Sequence, residues 1–213
     1  MAIVVLSTSF GQAHAHTMDV VGDYKIEIGW DEEPPIQGIA NVIQIVVSPA
    51  TEEDKKAAEK MDAMMGSNDT IDKTDHMAGE EDHDHEEGGI PGLEDSLQLT
   101  VTLKEKTRTL SLMSTDVEGI YHAVYTPETA GFPVVHISGM ILDTKVDLDM
   151  HPEEIESLSI LAPYKQISYG IDPSDVQCKE GLELFMRTHE DSAICASDEL
   201  GQRLMALGVV DYF

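Results

Sequence analysis

The sequence predicts an all-β chain: an immunoglobulin-like β-sandwich with an acidic, His/Met-rich insert and a small, disulfide-closed α+β module at the C-terminal end. Short segments between residues 17 and 149 alternate apolar and polar side chains and are separated by turn residues. Residues 51–92 are acidic, and both cysteines follow residue 175. These features indicate a signal peptide at 1–15, a sandwich at 16–150, a linker at 151–175 and a module at 176–213.

Seven segments are typical of short strands, and the first shows the pattern most clearly. Its alternation places Tyr24, Ile26, Ile28 and Trp30 on one face. Several short strands with frequent turn signals favour an immunoglobulin-like sandwich. The predicted strands are residues 23–30, 42–47, 97–103, 109–113, 120–125, 134–141 and 145–148.

The insert begins with a helix signal and then loses all periodicity. Thr51 and the acids after it form an N-cap and a first turn, so we expect a short helix that continues to Met65. Residues 67–89 are polar and Gly-rich, and we expect them to be disordered until something binds. The whole insert holds 14 acidic and 4 basic residues.

The C-terminal module contains the two cysteines of the chain, Cys178 and Cys195. They flank an alternating segment, residues 182–187, and a turn-prone one, residues 188–192, and a hairpin there would bring the two thiols together. A disulfide would close a loop of about 17 residues and contribute about 3 kcal/mol; two reduced, buried thiols are the alternative. Residues 197–199 cap a last helix, which Gly208 ends.

The N-terminal residues match the end of a secretory signal peptide. An apolar stretch, residues 2–6, leads to Ala13-His14-Ala15, an A-x-A cleavage pattern. No basic residues precede it, so either the signal starts upstream or it is short and atypical; a buried first strand is the alternative. Export and a disulfide together predict an extracytoplasmic location, in a periplasm-like space or at the cell surface.

The charge of the chain limits its partners. With 41 acidic and 13 basic residues the formal net charge is −28, which argues against nucleic acid and against anionic membrane surfaces. No apolar run approaches the roughly 20 residues of a membrane span. Phosphate-binding glycine loops and the G-x-S-x-G and H-E-x-x-H motifs are absent from the sequence, so we expect no enzymatic activity.

The candidate cleavage site creates a candidate copper ligand. Cleavage after Ala15 makes His16 the first residue, whose amine and imidazole form a bidentate chelate suited to Cu(II). Cleavage after Ala13 instead gives His14-Ala15-His16, in which the amine, two amides and an imidazole form a square-planar site for Cu(II) or Ni(II). The alternative is that these histidines lie next to a cleavage site by chance and bind no metal.

The insert supplies a second set of soft and borderline ligands. Thioethers suit Cu(I), whereas imidazoles accept Cu(II), Zn(II) or Ni(II). The alternative is a solvated acidic linker whose methionines form one face of a helix. The candidate ligands are Met61, Met64, Met65, His76, Met77, His83 and His85.

Three more histidines fall on or next to predicted strands of the sandwich. His122 alternates with Tyr121 and Ala123 and therefore faces away from them. If residues 120–125 and 134–141 form a hairpin, His122 and His136 are cross-strand neighbours. His151 follows the last strand at one rim. Each is a candidate metal ligand, although a single strand histidine is more often a surface or hydrogen-bonded residue.

Two stretches of the sandwich resemble known exported proteins. Residues His16-Thr17, 22–30 and 33–35 with Asn41 look like exported prokaryotic proteins whose mature form begins with His. Residues 119–127 with Ala130-Gly131 resemble the immunoglobulin-like group that includes copper-resistance CopC and YtkA/FixH-like domains. This resemblance implies Cu(II) binding through an N-terminal His, here His16, together with other histidines of the sandwich.

The C-terminal module has a resemblance of its own. Residues 170–173, 175–182 and 193–195 are similar to a module on secreted proteins of ammonia-oxidising archaea, which implies a setting of extracytoplasmic copper chemistry. The sequence thus predicts an exported protein that captures, buffers or delivers copper, with zinc or nickel as other metals. The alternatives are a cell-surface interaction or structural module with an envelope protein partner, and an accessory subunit of an envelope copper enzyme.

Overall fold

The computed structural model describes residues 17–65, 88–190 and 192–212, and only the backbone of residues 61–65. Two short 3-10 helices lie at Leu158–Ile160 and Pro173–Asp175. The elements in chain order are β1 (Thr17–Val21), β2 (Tyr24–Trp30), β3 (Asn41–Pro49), α1 (Glu52–Met65), β4 (Leu97–Leu103), β5 (Lys106–Leu110), β6 (Met113–Ser114), β7 (Ile120–Tyr125), β8 (Pro133–Ile141), β9 (Thr144–Met150), α2 (Pro163–Ser168), β10 (Glu183–Arg187), β11 (Ala193–Ala196), α3 (Asp198–Ala206) and β12 (Val210–Asp211).

Two antiparallel sheets form the larger part of the described chain. The five-stranded sheet has the order β1-β2-β3-β7-β6, and the four-stranded sheet has the order β5-β4-β8-β9. Both contribute side chains to one hydrophobic core, in the arrangement of a β-sandwich. The prediction of a mostly β chain with antiparallel sheets is confirmed.

The inward faces of the strands are the ones that the alternation predicts. Ile26, Ile28 and Trp30 are fully buried and Tyr24 packs against the same core, which includes Ile137 of the other sheet. Burying each large apolar side chain contributes about 1.5–3 kcal/mol. The alternation of β2 therefore fixes which face of the sheet is turned towards the core.

The prediction of a single strand at residues 109–113 is wrong. Strand β5 ends at Leu110 in the four-stranded sheet, whereas β6 begins at Met113 in the five-stranded sheet. Leu112 lies between them and is buried in the core. The chain crosses from one sheet to the other at this point. Leu112 is apolar because its side chain packs into the core during this crossing.

Helix α1 begins with the predicted cap. The Thr51 hydroxyl accepts a hydrogen bond from the Asp54 amide at 3.1 Å, and Asp54 Oδ2 accepts one from the Thr51 amide at 2.8 Å. This reciprocal pair is a capping box. Lys25, on the outward face of β2, lies 3.7 Å from Asp54 Oδ1, so α1 starts on the outer face of the five-stranded sheet.

The segment after β9 stays attached to the sandwich. Ile155 is fully buried in the same core and exchanges two backbone hydrogen bonds with Gly131, both of 2.9 Å. The Trp30 indole donates to the Glu153 carbonyl at 3.2 Å. The chain that leaves β9 is therefore held against the edge of the sandwich before it reaches α2.

The C-terminal residues form a second, smaller core. Strands β11-β10-β12 make a three-stranded sheet, and Phe185 is fully buried with Ala196 and Val210. Helix α3 packs on this sheet at Gly201, where an added Cβ would lie 1.9 Å from the Phe185 ring. A disulfide joins Cys178 to Cys195, which confirms that predicted bond. None of the described helices is long and apolar enough to cross a membrane.

Candidate metal centre

One edge of the sandwich brings together the two ends of the domain. Strand β1 is an edge of the five-stranded sheet and β9 is an edge of the four-stranded sheet. The Thr17 hydroxyl donates to the His151 carbonyl at 3.0 Å across this edge. Two residues that are 134 positions apart are therefore in direct contact, and one of them is a candidate ligand.

The backbone of His151 is fixed on both sides, while its side chain is exposed. The Thr17 hydroxyl donates a hydrogen bond to the His151 carbonyl, and the Trp30 indole donates one to the carbonyl of Glu153, two residues later. Glu153 and Glu154 follow after Pro152 in the chain. A histidine on a fixed backbone with acidic neighbours is suited to attract and hold a cation.

His136 lies on the outward face of β8, opposite Asp149 of β9. Its Nδ1 is 2.7 Å from Asp149 Oδ1, and its Nε2 is 3.7 Å from Asp147 Oδ1. Both ring nitrogens thus face carboxylates. To bind a metal through either nitrogen, this side chain would have to give up one of these contacts.

The structure does not pair His122 with His136, so that prediction is wrong. His122 lies on β7 of the five-stranded sheet and His136 on β8 of the four-stranded sheet. Consecutive strands often form hairpins, but residues 126–132 carry the chain across the sandwich. His122 and His136 therefore point away from opposite outer faces.

His122 does face outwards, as its alternation with Tyr121 predicts. Its neighbours across the sheet are Gln44 of β3 and Met113 of β6. The Nε2 atom of His122 is buried and has no hydrogen-bond partner among the described residues. Sequence reasoning did not single out Met113, because strand alternation shows the face of a residue but not its cross-strand neighbour.

The remaining candidate ligands are placed only in part. Met61, Met64 and Met65 belong to α1, at positions where the structure describes the backbone only. Among residues 17–65, 88–190 and 192–212, no group of three or more His, Cys, Asp or Glu side chains is arranged to hold a metal ion. His14, His16, His76, Met77, His83 and His85 lie outside the described residues.

Comparison of this chain with protein families, curated proteins and solved structures found no match.

Proposed function

We propose that this is an exported copper-binding protein that captures, buffers or delivers Cu(II) outside the cytoplasm without transforming a substrate. The principal site consists of the N-terminal amine and imidazole of His16 and the imidazole of His151. The observation that carries the proposal is the hydrogen bond from Thr17 to the His151 carbonyl. It ties the residue that follows His16 to a second histidine.

The reach of the N-terminal residue supports this ligand set. Once residues 1–15 are removed, His16 precedes Thr17 directly, and consecutive Cα atoms are about 3.8 Å apart. His16 is therefore bonded directly to the residue whose hydroxyl contacts the His151 carbonyl. Three nitrogen donors with an open position match what Cu(II) prefers.

The fold and the disulfide support the setting of this site. The chain changes sheet between β3 and β4, between β5 and β6, and between β7 and β8, as the Greek-key connections of an immunoglobulin-like sandwich do. We assign the sandwich to that class and the C-terminal residues to a disulfide-closed module. A disulfide persists in oxidising compartments, which supports export.

The insert has a capture role in this proposal. Its excess of acidic residues raises the local concentration of cations, an effect that salt weakens. Its histidines bind Cu(II) weakly and pass it to the terminal site. Zinc and nickel compete at the imidazoles, and Cu(II) displaces them because it forms the more stable complexes.

The experiment is a Cu(II) titration of protein that begins at His16, against a competing chelator at neutral pH. We expect a Cu(II) affinity tighter than micromolar. His16→Ala and His151→Ala should each weaken this affinity by at least about 100-fold, because losing a ligand costs more than losing an outer-sphere partner of a ligand. His189→Ala is the matched control, because His189 is exposed in the C-terminal module. Affinity no tighter than micromolar refutes the proposal.

The same titration separates the two processing sites. Protein that begins at His14 carries a complete square-planar chelate within its first three residues and does not need His151. If the exported protein begins at His14, His151→Ala has no effect on its Cu(II) affinity. N-terminal sequencing of the exported protein decides which form exists.

A second candidate function is an interaction module that binds an envelope protein, including a copper enzyme as its accessory subunit. The observation that favours it is a set of exposed apolar side chains near the C-terminal end: Leu200, Leu207, Val209 and Tyr212. Binding of one envelope protein that survives metal chelation and is lost in Leu207→Glu supports this function. Binding that chelation abolishes supports the copper proposal instead.

A further inference from the structure

We propose that the outer face of the five-stranded sheet carries a separate Cu(I) site, made of His122 Nε2 and the thioether of Met113. This inference extends the proposed copper-binding function to a second oxidation state and rests on it. The ion is bound as Cu(I), supplied in that state, and no electron transfer takes place at the site.

The first observation is the direct pairing of the two side chains. Met113 of β6 and His122 of β7 are register partners in an antiparallel ladder. Side chains at such positions share a face, with Cβ atoms about 5 Å apart. One ion held between a thioether and an imidazole fits this separation.

The second observation is the state of the His122 ring. Its Nε2 is buried and has no hydrogen-bond partner in the part of the chain that the structure describes, which is costly for a polar nitrogen. Gln44, the register partner on the other side, carries an amide that is able to donate, but it does not bind this atom. In the tautomer that carries its proton on Nδ1, Nε2 has a lone pair, and a metal ion there would be its partner.

The surroundings select the kind of metal. Ile120 and Val124 flank His122 on the outward face of β7, and Val46 lies opposite Ile120 on β3. Val46 is buried although it lies on the outer face. An apolar surround disfavours strongly hydrated divalent ions, and a thioether is a soft ligand, so the site favours Cu(I) over Cu(II) or Zn(II).

Access to the site is open on the Met113 side. The Met113 side chain is 48% exposed, so an incoming ion reaches the thioether from solvent and the imidazole next. The site is remote from the His16 and His151 centre, because β7 is separated from the β1 edge by β2 and β3. The two sites therefore fill independently.

The test is an anaerobic Cu(I) titration of protein that begins at His16, with methionine methyl groups labelled with carbon-13 and followed by NMR. We expect the Met113 methyl and the His122 ring signals to shift together and to saturate. Met113→Leu removes the His122 shift, and His122→Leu removes the Met113 shift. Neither substitution changes the affinity for Cu(II).

Controls make the result specific to this pair. Met140→Leu is the matched substitution, because Met140 is 41% exposed on the outward face of β8 in the other sheet; it leaves the His122 shift intact. Met113→Leu replaces an exposed side chain, so its outcome does not depend on folding. The inference is overturned if the Met113 methyl does not move, or if it moves equally in His122→Leu. A failed Cu(II) titration with an intact Met113 response overturns the terminal site alone.

Discussion

At the scale of single residues, the three histidines in and beside the sandwich strands differ in what their rings already contact. The His136 ring is held between Asp147 and Asp149, whereas the His122 Nε2 has no partner among the described residues. His151 is exposed on a backbone that Thr17 fixes. A metal ion at His136 would have to displace a carboxylate from one ring nitrogen, whereas the His151 ring is exposed to solvent. We therefore assign different roles to three residues of the same type.

This difference predicts the effect of removing His136. We expect His136→Ala to change the Cu(II) affinity of protein that begins at His16 by no more than about two-fold, well under 1 kcal/mol. The ring contributes no nitrogen to the site as long as both nitrogens face carboxylates. The titration with a competing chelator measures this. A ten-fold loss would place His136 among the ligands.

Strand alternation in the sequence predicts on which face of a sheet each of these side chains lies. It predicted that His122 faces away from the core and that Trp30 faces into it, since a period of two fixes the face. It did not show that Met113 lies beside His122, because the partner strand is set by long-range pairing. Pairing between the two strands that follow each other in sequence was the wrong choice for His122 and His136.

At the scale of elements, the first turn of α1 links helix stability to pH. Burial raises the pKa of Asp54, but the hydrogen bonds with Thr51 and the charge of Lys25 outweigh it and hold the pKa below 3.8. A lowered carboxyl pKa stabilises the fold above the unfolded pKa, and this stabilisation is lost as the pH falls through the folded pKa. The cap of α1 therefore weakens in acid, below a pH of about 4.

Hydrogen exchange at the amides of Asp54 and Lys55 tests this expectation. Both amides bond to Thr51, at 3.1 Å each. We expect their protection factors to fall below a pH of about 4 in the wild type and to be lower and independent of pH in Asp54→Asn. Glu53→Gln is the control, because Glu53 is exposed. An unchanged pH profile in Asp54→Asn contradicts the assignment.

The packing of α3 reverses the usual effect of a glycine-to-alanine substitution on the stability of a helix. Replacing glycine with alanine inside a helix usually stabilises it by about 1 kcal/mol. At Gly201, however, the added methyl group would meet the buried Phe185 ring at 1.9 Å. We expect Gly201→Ala to destabilise the C-terminal module by about 1–3 kcal/mol, the usual cost of overpacking.

Urea unfolding of the C-terminal module, followed through the Tyr212 and Phe185 NMR signals, measures this effect. The two rings lie 5.3 Å apart, so their shifts report the packing of this core. Leu200→Ala changes the neighbouring residue, which is 47% exposed, and we expect it to shift stability by less than about 0.5 kcal/mol. A Gly201→Ala variant as stable as the wild type would show that α3 is able to move away from the sheet.

Elements that cover an edge or cross between sheets were hard to read from the sequence. Strand β1 is half-buried along its whole length, so it lacks the contrast that alternation needs. Strands β5 and β6 read as one strand, because the apolar Leu112 continues the pattern across the change of sheet. In contrast, the spacing of Cys178 and Cys195 around a strand and a turn predicted their disulfide correctly.

At the scale of the whole molecule, the described residues form two hydrophobic cores. The larger one lies between the two sheets and includes Trp30, the single tryptophan, whereas the smaller one surrounds Phe185 beside the disulfide. The disulfide joins residues within the smaller part only. We therefore expect the two cores to respond differently to reduction.

Reduction of the disulfide tests this separation. We expect a loss of about 3 kcal/mol in the C-terminal module, the estimate for a loop of this length. We expect the urea midpoint of the unfolding transition that Trp30 fluorescence follows to be unchanged. A Cys178→Ser, Cys195→Ser double variant gives the same result without a reductant. A Trp30 transition that moves with reduction would show that the two cores unfold together.

The proposed Cu(II) site lies at the edge where β1 meets the end of β9. Pulsed EPR of the Cu(II) complex, formed by protein that begins at His16, counts the imidazole rings bound to the metal. We predict two imidazoles in the wild type and one in His151→Ala, because the proposed site takes one ring from His16 and one from His151, whose carbonyl accepts the Thr17 hydrogen bond. A single imidazole in the wild type, or a count that His151→Ala leaves unchanged, would contradict the account.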